Sequence, residues 1–369
     1  MTQPGFGIRD SGLADPRLTD EASPGSRVPG PERTVAALGE HALIARIRAR
    51  VPPDPPYVRL GIGDDAAVVE PARNTLDVVT TDCLLEGVHF DMAFASPADI
   101  GYKALAVNLS DLAAMGAAPR LALLSLALPD GFQVAAVDGL LDGLLELAAA
   151  SGVALVGGNV ARSPGPLMID ITALGSVKPR RVLARSGARP GDDLYVSGRL
   201  GASTAGLASF RAAAADPAAS RAPSCERRHL RPDPRVKLGT LLGRTRTARA
   251  CIDLSDGLAD GIRQLTHASD VGAVVEADAI PVDPDAREWL EGSGRVALDA
   301  TLAGGEDYEL LFSVAPRQRR QLAAVQKLVG DLPITCIGRI VAEPRIELRR
   351  EGRVDTLPEG FVHFAGGAR

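Results

Sequence analysis

The chain has 369 residues, more than a single domain usually needs, so two domains is the starting expectation. Hydrophobic residues make up 46% and charged residues 24%, which excludes a wholly disordered or fibrous chain. A formal net charge of -5 and only 4% aromatic residues leave neither a basic field nor stacking platforms, so no nucleic-acid partner is expected.

Residues 1–33 are rich in Pro, Gly, Ser, Asp and Arg without apolar periodicity, and read as a disordered tail. Order is expected to begin at Thr34, an N-cap for a helix to about Arg50 that the prolines at 52, 53, 55 and 56 stop. Strand patterns follow at 57–62, 66–70 and 76–80. Ser96 and Pro97 then form a cap and first-turn pair for a helix reaching about Met115. A strand at 120–128, a helix at 134–150, a short apolar run at 153–156 and a strand at 167–177 complete the first half. After Asp192 strands are expected near 194–197, 250–253, 273–276, 308–314 and 334–340, interleaved with helical patterns. The polar stretch 214–228 reads as a surface loop. Mixed strands and helices define an α/β (α+β) protein. The basic, Pro- and Gly-containing stretch 178–190 divides it into an N-terminal domain over 34–180 and a C-terminal domain over 181–369.

The cysteines, at 83, 225, 251 and 336, lie far apart with no zinc-clasping spacing, which fits a reducing compartment. The longest apolar stretch, 121–128, is a strand's length, and 135–156 carries Asp138, Asp142 and Glu146, so no membrane span is expected. With no signal-like N-terminus either, a cytoplasmic location is expected.

The informative feature is a set of acids at turns and strand ends beside small residues. They are Gly63-Asp64-Asp65, Thr80-Thr81-Asp82, Ser110-Asp111, Asp253-Leu254-Ser255-Asp256-Gly257 and Gly304-Gly305-Glu306-Asp307. Asp111 shares a helix face with Ile100, Ala104 and Val107, so its carboxylate points towards protein and needs a partner. Any one of these motifs could be an ordinary turn or helix cap; five in one chain suggest a single site. Two like charges 4 Å apart repel by roughly 4 kcal/mol at an effective dielectric of 20, so converging acids call for cations among them. All-oxygen ligands favour Mg²⁺, which in turn implies phosphates.

Two familiar nucleotide signatures do not apply. Gly61-Ile62-Gly63-Asp64-Asp65-Ala66 matches a dinucleotide-binding turn, with Asp82 placed for a ribose, but its two acids would confront the pyrophosphate. A P-loop is absent, because no Gly-Lys pair occurs and lysine stands only at 103, 178, 237 and 327.

Read in order, the motifs resemble those of the thiamine-monophosphate kinases. That family belongs to the superfamily of aminoimidazole ribonucleotide synthetase, selenophosphate synthetase and a hydrogenase maturation protein. The resemblance rests on the acidic motifs together with Glu86-Gly87-Val88-His89-Phe90, Lys103-Ala104, Asn108 to Gly116, Gly157-Gly158-Asn159, Arg185-Ser186-Gly187-Ala188 and Arg231-Pro232. It implies a two-domain aminoimidazole ribonucleotide synthetase-like fold and ATP-dependent phosphorylation of thiamine monophosphate to the diphosphate, by a homodimer. It implies metal ligation, with Mg²⁺ as the ion, at Asp65, Thr80, Thr81, Asp82, Asp111, Asn159, Asp253 and Asp256. It implies ATP contacts at Gly158, Asn159, Arg185 and Ser255, and substrate contacts at His89, Glu306 and Phe361. Where the family often has Gly-Gly-Asp this chain has Asn159, an uncharged carbonyl donor.

The residues agree with that chemistry. A phosphate monoester acceptor has its second pKa near 6, so its oxygen is already a nucleophile at neutral pH and no general base is required. Catalysis then reduces to positioning and charge neutralisation. Arg185 offers a planar charged fork for phosphate, and Glu306 a carboxylate for the cationic thiazolium. The alternatives are a ligase or cyclase like aminoimidazole ribonucleotide synthetase, and a non-catalytic nucleotide-binding regulator of the same fold. A selenophosphate synthetase would be expected to show a reactive cysteine and a lysine near the start of its catalytic domain, and no lysine precedes Lys103.

Overall fold

The computed structural model describes residues 33–360, so all but Arg33 of the expected tail over 1–33, and the expected substrate contact Phe361, lie outside the described residues. The Thr34 side chain accepts a hydrogen bond from the Ala37 amide at 3.2 Å and caps α1 (Val35–Leu38). Gly39, at φ 84°, breaks what the sequence predicts as one helix, and α2 (Glu40–Arg50) follows. Strands β1 (Val58–Leu60) and β2 (Val68–Val69) form a small antiparallel pair.

The first larger sheet is made by β3 (Leu76–Leu85), β4 (Ala118–Leu128), β5 (Ala154–Arg162) and β6 (Met168–Val177), in the order β3-β6-β4-β5. Only β4 and β5 run parallel. Its helices are α3 (Pro97–Ala114) and α4 (Val134–Ser151). The short apolar run expected at 153–156 grows into the full β5, because its register with β4 continues from Ala154 to Arg162 and carries Gly157-Gly158-Asn159 within the ladder.

The second sheet is made by β7 (Asp193–Ser197), β8 (Ala248–Asp253), β9 (Gly272–Glu276), β10 (Leu310–Val314), β11 (Ile334–Val341), β12 (Ile346–Arg350) and β13 (Arg353–Asp355), in the order β13-β12-β9-β11-β7-β10-β8. Helices α5 (Ala202–Ala215), α6 (Pro223–Leu230), α7 (Val236–Thr245), α8 (Leu258–Ser269), α9 (Pro284–Gly292), α10 (Ala297–Ala303) and α11 (Arg319–Val329) accompany it. The expected loop over 214–228 is corrected here. Helix α5 runs to Ala215 and α6 opens at Pro223, leaving 216–222 as the connection. Apolar periodicity could not reveal α6, since it buries Cys225, Glu226 and His229. The Glu226 carboxylate is satisfied by the Arg221 guanidinium, at 2.6 and 2.7 Å, and by the Ser209 hydroxyl.

Helix α3 fixes the site. The Ser96 hydroxyl caps it by accepting from the Asp99 amide at 3.2 Å, with Pro97 in the first turn. Nearly its whole surface is covered, with Leu105, Leu109 and Leu112 fully buried. A helix covered on all sides belongs in the middle of a protein, and α3 packs on α4, on β3 and β6, and on α7 and β8 of the second half. It can approach α4 closely because Gly101 and Gly143 lack side chains. A Cβ on Gly101 would run into the Leu140 carbonyl, and one on Gly143 into the Ala98 carbonyl. Among the described residues no helix is long and apolar enough to cross a membrane.

Candidate active site

A cavity of about 860 Å³ opens where the two halves meet around α3. Asp82 of β3, Asp111 of α3, and Asp253 and Asp256 at and after the end of β8 line it, with Arg185, Ser255, His89, Glu306 and Tyr308. Four of the five acidic motifs therefore contribute to one wall. The remaining expected residues stand elsewhere. Asp65 is exposed in the segment after β1, its amide bonded to the Asp64 carboxylate at 2.8 Å. Gly158 and Asn159 lie exposed on β5, and none of these three lines the cavity. Thr80 and Thr81 alternate across β3 as strand geometry requires. The Thr80 hydroxyl donates to Asp111, whereas Thr81 faces the other way, 2.9 Å from Asp170 and 3.1 Å from Thr172.

The acids feel one another. Burial, and then the charges of Asp111, Asp170 and Asp256, push the Asp82 carboxyl up to about 6. Asp253, buried at the strand end, is also raised, first by burial and then by Asp111, although the Ser110 hydroxyl donates to it at 2.7 Å. Burial raises Asp111 as well, against the opposing Thr80 hydrogen bond and the Arg185 charge. The Arg185 guanidinium is held by the Gln264 carbonyl at 2.6 Å. The N-cap of α8 is Gly257, without a side-chain hydrogen bond.

Among the described residues no three His, Cys, Asp or Glu side chains converge on a single metal position. The donor chemistry nonetheless fits a hard cation: carboxylates crowded enough to raise one another, every donor an oxygen, and space beside them for phosphate. Mg²⁺ suits such a wall, since it keeps several waters and is held by one or two carboxylates together with substrate phosphates.

Glu306 is held in an unusual backbone conformation, φ 65°, with Tyr308 at φ 51°. Its amide donates to the Ser255 carbonyl at 2.7 Å, and the Tyr308 amide to that of Leu254 at 3.0 Å. Gly305 permits the approach, since a Cβ there would strike the Ser255 carbonyl. Strain of this kind persists where the surroundings over-determine it, typically at functional sites. The Glu306 carboxylate lies 2.8 Å from Lys103 Nζ and 3.3 Å from His229 Nδ1. Burial works against its ionisation, but the Lys103 charge, with its hydrogen bond, prevails and holds it below the usual range. Asp307 turns away from the cavity and accepts from the Gly201 and Ser203 amides near the start of α5.

Reading the sequence alone passes over four groups that contribute here. Lys103 was visible only as part of a motif, and His229 only as one of five histidines. Arg211 and Arg295 also line the cavity, and no local pattern marks either.

The comparisons with known proteins agree with this geometry. A sequence model described as AIR synthase related protein, N-terminal domain, matches residues 63–177, and its C-terminal counterpart matches 189–351. The chain is 41% identical over 332 residues to the thiamine-monophosphate kinase of Escherichia coli K12, covering 89% of this chain and 99% of that one. The crystal structure of the thiamine-monophosphate kinase of Stenotrophomonas maltophilia superposes with a TM-score of 0.74 at 40% identity, over 85% of this chain and 96% of that one. A structure described as AaThiL complexed with AMPPCP and TMP gives 0.70 at 30% identity, over 91% and 100%. These matches make the chain a member of the AIR synthase related family. Within it, the chain belongs to the thiamine-monophosphate kinases.

Proposed function

We propose that this chain phosphorylates thiamine monophosphate to thiamine diphosphate with ATP. The observation that carries this reading is the cavity that Asp82, Asp111, Asp253 and Asp256 line together with Arg185 and Glu306. A relative at 30% identity whose complex holds AMPPCP and TMP supports it. The acids would hold Mg²⁺, which supplies charge neutralisation for the phosphates brought together. Arg185 binds ATP phosphate as a bidentate donor, and the Ser255 segment supports the nucleotide. Glu306, with His89 beside it, receives the cationic heterocycle, and the acceptor phosphate is already ionised near neutral pH.

Asp65, Thr80, Thr81, Gly158 and Asn159 are proposed as outer contributors that reach metal or nucleotide when the ligands are bound. In this reading residues 34–180 supply Asp82 and Asp111, and 181–369 supply Asp253 and Asp256 with Arg185, Ser255 and Glu306. A homodimer acting in the cytoplasm completes the reading. The edge strand β3, on whose outward face Val79 is 60% exposed, supports the dimer, and sedimentation of the purified chain tests it.

The test of function is ADP release with ATP and Mg²⁺ over a panel of thiamine monophosphate, thiamine and a formamidine ribonucleotide. Turnover is expected with thiamine monophosphate alone. Release with the formamidine compound and none with thiamine monophosphate would assign the chain to cyclisation chemistry instead.

A further inference from the structure

Two side chains behind Glu306 belong to no expected ligand set, and both are almost fully buried. Lys103 of α3 and His229 of α6 each have side chains 3% exposed. Lys103 Nζ donates to the Glu306 carboxylate at 2.8 Å and to the His89 carbonyl at 3.2 Å. One ammonium thus ties the segment after β3 to the loop before β10, the two places from which substrate contacts are expected. His229 Nδ1 lies 2.9 Å from the Ser203 hydroxyl and 3.3 Å from the other Glu306 oxygen. Its ring packs beside Phe210, which stacks on Phe94 at 4.4 Å, so it cannot swing away freely.

A buried lysine is costly unless paired, and a lysine serving only to stabilise the fold could be replaced by an apolar side chain of similar volume. Here the charge faces a carboxylate that opens on the cavity. We infer that Lys103 and His229 are positioning residues, which keep the Glu306 carboxylate ionised and aimed at the cationic part of the substrate, with Lys103 also fixing the His89 backbone. This rests on the reading of Glu306 as a contact to a cationic heterocycle. The groups facing Glu306 are Lys103 from α3, His229 from α6, His89 from the segment after β3 and Tyr308 two residues on; Arg211 of α5, which also lines the cavity, acts on His229. Burial, with Lys103 and Arg211, drives the His229 imidazole down to about 3 despite Glu306, so it serves as a neutral hydrogen-bond partner and Lys103 as the cation. Without Lys103, burial would dominate and the Glu306 carboxyl would rise towards neutrality.

The experiment uses thiamine, which has the permanent cation but no titrating phosphate, as a competitive inhibitor against thiamine monophosphate. Its inhibition constant is measured at pH 6 and pH 8 in the full chain and in Lys103→Met. The pH 6 to pH 8 ratio is expected to rise about tenfold in the variant relative to the unaltered protein, with KM for ATP unchanged. An equal ratio in the two proteins would overturn the positioning role, while failure of the unaltered protein to turn over thiamine monophosphate would overturn the reading beneath it. Should Lys103→Met not fold, Lys103→Gln removes the charge while keeping a hydrogen-bond donor, and the same ratio is read.

Discussion

The Ser110 hydroxyl on α3 donates to the Asp253 carboxylate at the end of β8 across 2.7 Å, and both residues are buried. This bond joins a helix of the first half to a strand of the second at the floor of the cavity. Replacing Ser110 by alanine leaves a buried carboxylate short of a partner, an effect of about 1–3 kcal/mol. The Ser110→Ala protein is expected to unfold at lower urea concentration with an unchanged slope. An unshifted midpoint would show that Asp253 finds another donor.

The crowded acids make stability depend on pH and cation together. Asp82, at about 6, and Asp111 and Asp253, both raised, bind more protons in the folded than in the unfolded state between their unfolded pKa values and their folded ones. Their contribution therefore weakens as pH rises from about 4 through about 6. His229, depressed to about 3, acts oppositely as pH falls below about 6.5, so the bare pH profile mixes both signs. Mg²⁺ competes with protons only at the acids. Its effect on melting temperature is expected to be larger at pH 7.5 than at pH 5, read by differential scanning calorimetry without nucleotide. A cation effect equal at both values would argue against ion binding by these carboxylates.

Asp111 takes a hydrogen bond from Thr80 and faces Asp82 and Asp253. An amide at position 111 still accepts from Thr80 but brings no charge. Asp111→Asn is expected to stay folded, with metal-free stability equal to or above that of the unaltered protein because repulsion is relieved. Turnover should fall by about 10²–10³-fold, the scale on which a group stabilising developing charge acts. Normal turnover at saturating Mg²⁺ would remove Asp111 from the ion-binding set.

The close approach of α3 and α4 rests on Gly101, where an added Cβ meets backbone with no flexible side chain to yield. Gly101→Ala is expected to lower unfolding free energy by about 1–3 kcal/mol, the range for overpacking. Because α3 also carries Lys103, Ser110 and Asp111, activity should fall before the protein unfolds on heating. Coincident loss of activity and structure would indicate that the helices separate only on global unfolding.

Local rules made the frame readable, and distance limited the site. The caps at Thr34 and Ser96 are local chemistry, and both stand where the sequence puts them. The inward direction of Asp111 follows from helix periodicity, and Val107 and Asp111 both line the cavity. Helix α6 escaped because it buries a cysteine, a glutamate and a histidine in place of an apolar stripe, so no 3.6-residue pattern announces it. Lys103 and His229 meet Glu306 only through contacts between residues far apart in sequence, which composition and spacing do not encode. The exposed positions of Asp65 and Asn159 were hidden for the same reason: a motif tells which residue type is present, not how far its strand stands from the cavity.

The route of the phosphoryl group is the remaining mechanistic question. The histidines nearest the reaction space are both committed. His89 Nδ1 accepts from the Leu85 amide at 3.0 Å, and His229 is buried against Ser203 and Glu306. Neither is presented as a nucleophile for phosphorus. The cavity acids repel one another, which suits cation binding better than attack on a polyanion. An ionised acceptor phosphate needs no covalent relay, so ATP and thiamine monophosphate are expected to bind together and react in line. Direct transfer inverts configuration at phosphorus, whereas a phosphoenzyme passes through two inversions and retains it. Transfer from a chirally labelled γ-thiophosphate donor is expected to give inversion, with intersecting initial-rate lines over the two substrates. Retention with parallel lines would require a covalent carrier among the side chains of the cavity, and Asp256 would then be the first residue to replace.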